Sequence, residues 1–213
     1  MHIPDGILPA SACVGGYAAT GVATWLSLRR ISRRGDAELG IPRASVMAAV
    51  FFVASWIHIP VFPVSTHLVL NGLMGVVLGA YAFPAILVGL FFQAVMFQHG
   101  GLTTLGVNAV IMGIPALMAG CAFRILTDRW PGTRMTTVWG FFCGASSIAV
   151  SVLMLTAVLV VFFGGDIDPS TEEDVVDVLF LSHVPLMLIE GVITASMVRF
   201  LRKVHPEMLD GGR

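Results

Sequence analysis

The sequence predicts an all-α polytopic membrane protein of seven transmembrane helices, with the amino terminus outside and the carboxyl terminus in the cytoplasm. Three observations predict it. Apolar residues make up 56% of the 213-residue chain and charged residues only 12%, about half the roughly 25% usual in soluble domains; the mean hydropathy is +0.88. Apolar runs reach the ~20 residues needed to cross a ~30 Å hydrocarbon core. All 12 basic residues fall into three short stretches between or after those runs, the bias that marks cytoplasmic segments.

Taken in order, residues 1–10 form an amino-terminal segment ahead of a first span at 11–28. Arg29, Arg30, Arg33, Arg34 and Arg43 follow it, and a second span covers 44–64. Pro84 divides the next apolar stretch into two short arms, 67–82 and 84–97, read as two tilted or partly buried spans. The fifth span, 105–126, is bracketed at its end by Arg124, Arg129 and Arg134, and the sixth covers 136–163. Residues 164–177 carry six acids and no base, a solvated outer loop whose acid spacing does not match a calcium loop. The seventh span is 178–201, with Arg199, Arg202, Lys203 and Arg213 closing the chain. Placing every basic cluster in the cytoplasm requires an odd number of crossings before each, which seven spans satisfy. No polar linker or repeat interrupts the spans, so 1–213 is one domain. Gly72, Gly75 and Gly79, then Gly113, Ala116 and Gly120, then Gly140 and Gly144 recur at helix-packing intervals, where small residues let helices approach in lipid. Cys13, Cys121 and Cys143 lack metal or redox spacing and read as small core residues.

The opening MHIPDGILPAS has no basic n-region and is not a secretory signal, so the Met1 α-amine is expected to survive. That amine, the His2 amide and the His2 imidazole can chelate a metal in fused five- and six-membered rings, an in-plane nitrogen set that suits nickel(II) and copper(II). The alternative is an exposed, disordered terminus. His58, His67, His99 and His183 join His2 at the outer ends of spans, and His205 alone is cytoplasmic. Neutral imidazole is the commonest metal ligand, and polar groups at membrane depth usually line a cavity.

His67 at the start of the third span has Asn71 four residues on, on the same helical face, so Asn71 is a candidate for orienting the ring. The Gln98-His99-Gly100-Gly101 to Asn108 connection offers Gln98, His99, Thr103 and Asn108 as supporting or gating groups, or is a simple outer turn. His183 and Glu190 lie two turns apart on the last span. An acid this deep marks function by default, though a structural bond between helices fits as well.

A single lysine and no phosphate-binding GxxxxGK[ST] motif leave no ATP-hydrolysing site of that kind, and no HExxH zinc-protease motif occurs. Gly144-Ala145-Ser146-Ser147 lacks the GxSxG turn of a serine hydrolase. The chain therefore reads as a non-enzyme without a prosthetic group, and no nucleic-acid partner is expected.

In order along the chain, MHIPDGILP, VSTHLVLNGLMG, QHGGLTTLGVN and SHVPLMLIEGVIT resemble the substrate-binding membrane subunit of cobalt and nickel energy-coupling factor transporters. The resemblance spans nearly the whole chain. It implies a metal held by the Met1 amine, the His2 amide and imidazole, and His67, with Pro4 and Asp5 at variable positions. It implies a transmembrane coupling subunit, cytoplasmic ATPases and a small two-span accessory protein as partners, and cobalt import for cobalamin biosynthesis, with nickel or a proton-coupled secondary metal carrier as alternatives.

Overall fold

A computed structural model describes residues 2–33, 37–61, 64–163 and 169–209. Among the described residues, seven α-helices occur: α1 Ala10–Ser32, α2 Ile41–Ala54, α3 Asn71–Leu78, α4 Ala82–Phe97, α5 Leu105–Arg129, α6 Thr133–Phe163 and α7 Pro169–Val204. Among the described residues, five stretches are long and apolar enough to cross a membrane: Ala37–Ala54, Asn71–Phe97, Leu105–Arg129, Thr133–Phe163 and Val176–Val204. The protein is thus a helical, multi-pass membrane protein.

The span expected to run to residue 64 stops at Ala54. Proline offers no N–H and cannot continue a helix, and Pro60 and Pro63 follow closely. His58–Val61 (β1) instead pairs antiparallel with Val64–His67 (β2), His58 opposite His67. His67 therefore ends a strand rather than starting a helix, and the expected single helical face with Asn71 does not exist.

The two arms expected either side of Pro84 part earlier, at a 3-10 turn over Gly79–Tyr81. Gly79 has φ 56°, and a Cβ there would overlap the Arg124 guanidinium. Pro84 sits harmlessly in the first turn of α4, where the N–H has no helical partner anyway. With eight residues, α3 is only about 12 Å long, too short to cross alone. It need not, because every residue in it is buried within the protein. The acidic stretch expected as a loop is helical from Pro169 onward, and residues 164–168 lie outside the described residues. Cys121, expected in the core, is exposed.

The small residues serve packing within the chain. A Cβ on Gly75 would strike the Ala116 carbonyl oxygen, one on Gly120 would strike that of Gly75, and one on Gly72 would come 2.7 Å from the Gly144 Cα. Close approach in turn permits an interhelical polar lock. Asn71, wholly buried, donates from Nδ2 to Ser151 Oγ (2.8 Å) and Met112 O (3.4 Å) and accepts from Ser147 Oγ (2.7 Å).

Among the described residues, the basic side chains gather at one end of the bundle. Arg30 and Arg124 line one cavity of about 350 Å³, Arg202 donates to Thr136, and Arg43 donates to Met208 O (3.3 Å). The hairpin, the amino-terminal segment and the α4–α5 connection meet at the opposite end.

Candidate metal centre

Residues 2–9 lack helical structure and are fastened to the bundle by polar contacts. Asn108, near the start of α5, accepts from Ile3 N at Oδ1 (2.9 Å) and donates from Nδ2 to Ile3 O (3.0 Å). Thr104 Oγ1 donates to the same carbonyl (2.6 Å). The Ile3 side chain is 2% exposed and packs with Leu8, Val107, Ile111 and Leu155. Two residues on, the Asp5 carboxylate accepts from Leu102 N (3.1 Å), Thr103 N (2.8 Å) and Thr103 Oγ1 (2.5 Å). The Thr103 hydroxyl and these backbone N–H groups hold its carboxyl below the usual carboxylate range.

The adjacent glycines make the latch possible. Gly100 has φ +82°, and a Cβ on Gly101 would overlap the Asp5 carboxylate, so only a residue without Cβ fits.

This fastening sets His2 against His67, with ring centroids 4.8 Å apart and planes at 14°. His99 stacks on the same pair, 5.8 Å from His67 and 6.2 Å from His2. The hairpin brings His58 to 6.3 Å from His67 and 5.7 Å from His99.

In His67, Nδ1 lies 2.9 Å from the Leu68 carbonyl oxygen. A carbonyl only accepts, so in the neutral ring Nδ1 carries the proton and Nε2 keeps its lone pair. That Nε2, both ring nitrogens of His2 and Nδ1 of His99 are buried without a hydrogen-bond partner among the described residues. Such buried orphans cost on the order of 1–3 kcal/mol each unless something meets them. Burial, reinforced by the neighbouring imidazoles, lowers the pKa of His67 to about 3 and that of His2 well below the ordinary 6.5, and lowers that of His99. The rings are therefore neutral near pH 7, the form that binds metal. Among the described residues no three His, Cys, Asp or Glu side chains form a metal-holding group. Met1, expected as a ligand, lies outside the described residues.

The other expected site residues divide. Thr103 and Asn108 anchor the amino-terminal segment and His99 joins the ring cluster. Gln98 ends α4 in a left-handed conformation, φ 55°, and is exposed. Asn71 faces α5 and α6 instead of orienting His67. His183 turns its Nδ1 to Leu179 O (2.7 Å) and Ser182 Oγ (3.3 Å). Glu190 Oε1 accepts instead from Val69 N (2.6 Å) and Leu70 N (2.7 Å), so it holds the segment leaving His67.

The sequence places His58 among the outer histidines without a role of its own, and assigns none to Asp5 or Thr104. The local signal for His58 is the pair of histidines flanking two prolines in HIPVFPVSTH.

Known proteins resemble this chain over almost its whole length. The family described as cobalt uptake substrate-specific transmembrane region matches residues 2–208. The chain is 30% identical over 215 residues to the cobalt transport protein CbiM of Sorangium cellulosum, covering 99% of this chain and 95% of that one. It is 29% identical over 222 residues to the fused nickel transport protein NikMN of Rhodobacter capsulatus, covering 98% of this chain and 64% of that one. The crystal structure of a transition metal transporter shares the fold, with a TM-score of 0.83 and 21% identity over 96% of this chain and 93% of that one. The match over almost the whole chain establishes that the protein belongs to the family of cobalt uptake substrate-specific transmembrane regions.

Proposed function

We infer that this protein captures a divalent transition-metal ion for import, cobalt first and nickel as the alternative, as the substrate-binding subunit of an energy-coupling factor transporter in the plasma membrane. The observation that carries the reading is the stacked His2–His67 pair, in which both ring nitrogens of His2 and Nε2 of His67 are buried with no partner among the described residues. A bound metal satisfies those lone pairs.

Two imidazoles alone make a weak site. The Met1 α-amine and the His2 amide, fused to the His2 imidazole by chelate rings, supply three nitrogens, and His67 Nε2 supplies the fourth. Nitrogen ligands of this kind rank nickel above cobalt in affinity, so selectivity rests on geometry and metal availability. Family membership favours cobalt, which points to supply of cobalamin biosynthesis.

Seven passages, the third made by the short α3 inside the protein rather than against lipid, with the histidine end outside and the basic end in the cytoplasm, follow the positive-inside bias. The chain has no phosphate-binding motif, so energy comes from cytoplasmic ATPase subunits through a transmembrane coupling subunit, with a small two-span accessory protein in cobalt systems. Metal enters from outside, the amino-terminal segment and the 98–108 connection close over it, and the partners reorient the subunit for inward release.

The test is the metal content and the cobalt and nickel affinities of the purified chain. His2→Ala and His67→Ala should each abolish tight binding. Inserting one residue between Met1 and His2 enlarges a chelate ring, and undiminished binding in that variant would sink the terminal-chelate model. Uptake in vesicles that follows the proton gradient without ATPase subunits would favour secondary carriage instead.

A further inference from the structure

We propose that His58 and His99 form an entry station that takes a divalent transition metal from solvent and hands it inward to His67 and His2; the inference rests on the metal-capture reading above. Exposure falls along the first three residues: His58 is exposed, His99 is intermediate and His67 is 9% exposed. His2 is intermediate as a residue, but both its ring nitrogens are buried. The ring separations form a continuous series, 5.7 Å from His58 to His99, 5.8 Å from His99 to His67 and 4.8 Å from His67 to His2.

Two imidazoles sharing one metal, each with a metal–nitrogen bond near 2.0–2.1 Å, place their ring centroids roughly 4.5 to 6 Å apart. Each successive pair falls in that range and shares one ring with the next. A metal moving along the series can therefore gain a new nitrogen before it loses an old one, so it is never without a protein ligand.

The available nitrogens suit the task. His58 Nδ1 lies 3.0 Å from Trp56 O, which assigns the proton to Nδ1 in the neutral ring and leaves the Nε2 lone pair for metal. His99 Nδ1 is buried without a partner among the described residues. The hairpin fixes the spacing, because cross-strand pairing sets His58 directly opposite His67. Phe97 completes an apolar wall, 6.0 Å from His99 and 4.8 Å from Trp56. With two side-chain donors per step, each stage holds metal weakly, as a station must if it is to release its cargo.

A way station accelerates entry and exit alike and leaves the equilibrium unchanged. The experiment compares the association rate and the equilibrium affinity of nickel(II) chloride for the full-length purified chain, for His58→Phe, for His58→Gln, for His99→Phe and for the His58→Phe/His99→Phe double variant, each matched for thermal unfolding. Phe keeps the ring packing and removes the donor; Gln controls for the added apolarity at the exposed position. The expected result is an association rate lowered on the order of tenfold in the double variant, with the dissociation constant within about twofold of wild type. An unchanged association rate overturns the station. So does loss of equilibrium binding, which would make these histidines ligands of the final site. Failure of the capture reading has its own signature, nickel affinity unaltered in His67→Ala, and the station falls with it.

Discussion

Asn108 grips the main chain of Ile3 from both sides, its Oδ1 taking the Ile3 N–H at 2.9 Å and its Nδ2 giving a proton to the Ile3 carbonyl at 3.0 Å. The contact joins residues 105 positions apart and determines where His2 sits. Asn108→Asp keeps an acceptor for the N–H but sets a second oxygen against the Ile3 carbonyl. Groups that orient a metal ligand are typically worth tenfold to a hundredfold in affinity. We expect a loss of that size for cobalt in Asn108→Asp, read by isothermal titration, with helical content unchanged.

Gly101→Ala tests the latch from the other side. Its new Cβ would overlap the Asp5 carboxylate, so the amino-terminal segment must move away. Weaker metal binding and faster release are expected. Gly15→Ala is the control, because a Cβ there meets nothing within 4 Å; it should bind normally and gain stability of about 0.5–1 kcal/mol from relief of glycine entropy in a helix.

Glu190 is wholly buried and receives two backbone N–H groups from the segment that follows His67. Glu190→Ala leaves both without a partner, at on the order of 1–3 kcal/mol each. Glu190→Gln retains a side-chain oxygen to accept them. Thermal unfolding should fall markedly in the alanine variant and far less in the glutamine variant, and metal affinity should fall in the same order. Equal effects of the two would mean that the carboxylate charge, rather than its acceptor geometry, matters.

Acid should destabilise the metal-free protein through its buried histidines. The pKa of His67 is about 3 when folded, against 6.5 ordinarily, so the unfolded chain binds more protons between those values and stability rises with pH there. The contribution is intact above about pH 6.5 and is lost progressively as pH falls toward 3. Unfolding temperatures recorded from pH 8 to pH 4 should decline below about 6.5, and His67→Phe should flatten the decline. An unchanged slope in that variant would assign the acid sensitivity to other groups.

Much of the architecture was legible from local chemistry. Apolar runs of membrane-spanning length marked the helices, and the stripes from Gly72 to Gly79 and from Gly113 to Gly120 marked close helix approach. The helix boundaries read least well around prolines. Pro60 and Pro63 lie in an apolar run of span length although together they favour an extended turn, and Pro84 reads as a break although it sits where a helix tolerates it. The turn is at Gly79 instead, where the Arg124 guanidinium occupies the space of a side chain, a contact that no local pattern announces.

By itself, the sequence determined that this is a helical membrane protein with histidines biased to one end and basic residues to the other, because hydropathy and charge are properties of short stretches. It also supplied the two imidazoles, His2 and His67, that meet in the site. Only the tertiary structure decided that His58 joins them across a hairpin, that Asn71 faces α5 and α6, and that Asp5, Asn108 and Glu190 fasten the segments carrying His2 and His67. Those are hydrogen bonds and contacts between residues from nine to more than a hundred positions apart. They depend on which polar groups the packed chain brings together, and periodicity along the chain carries no record of that.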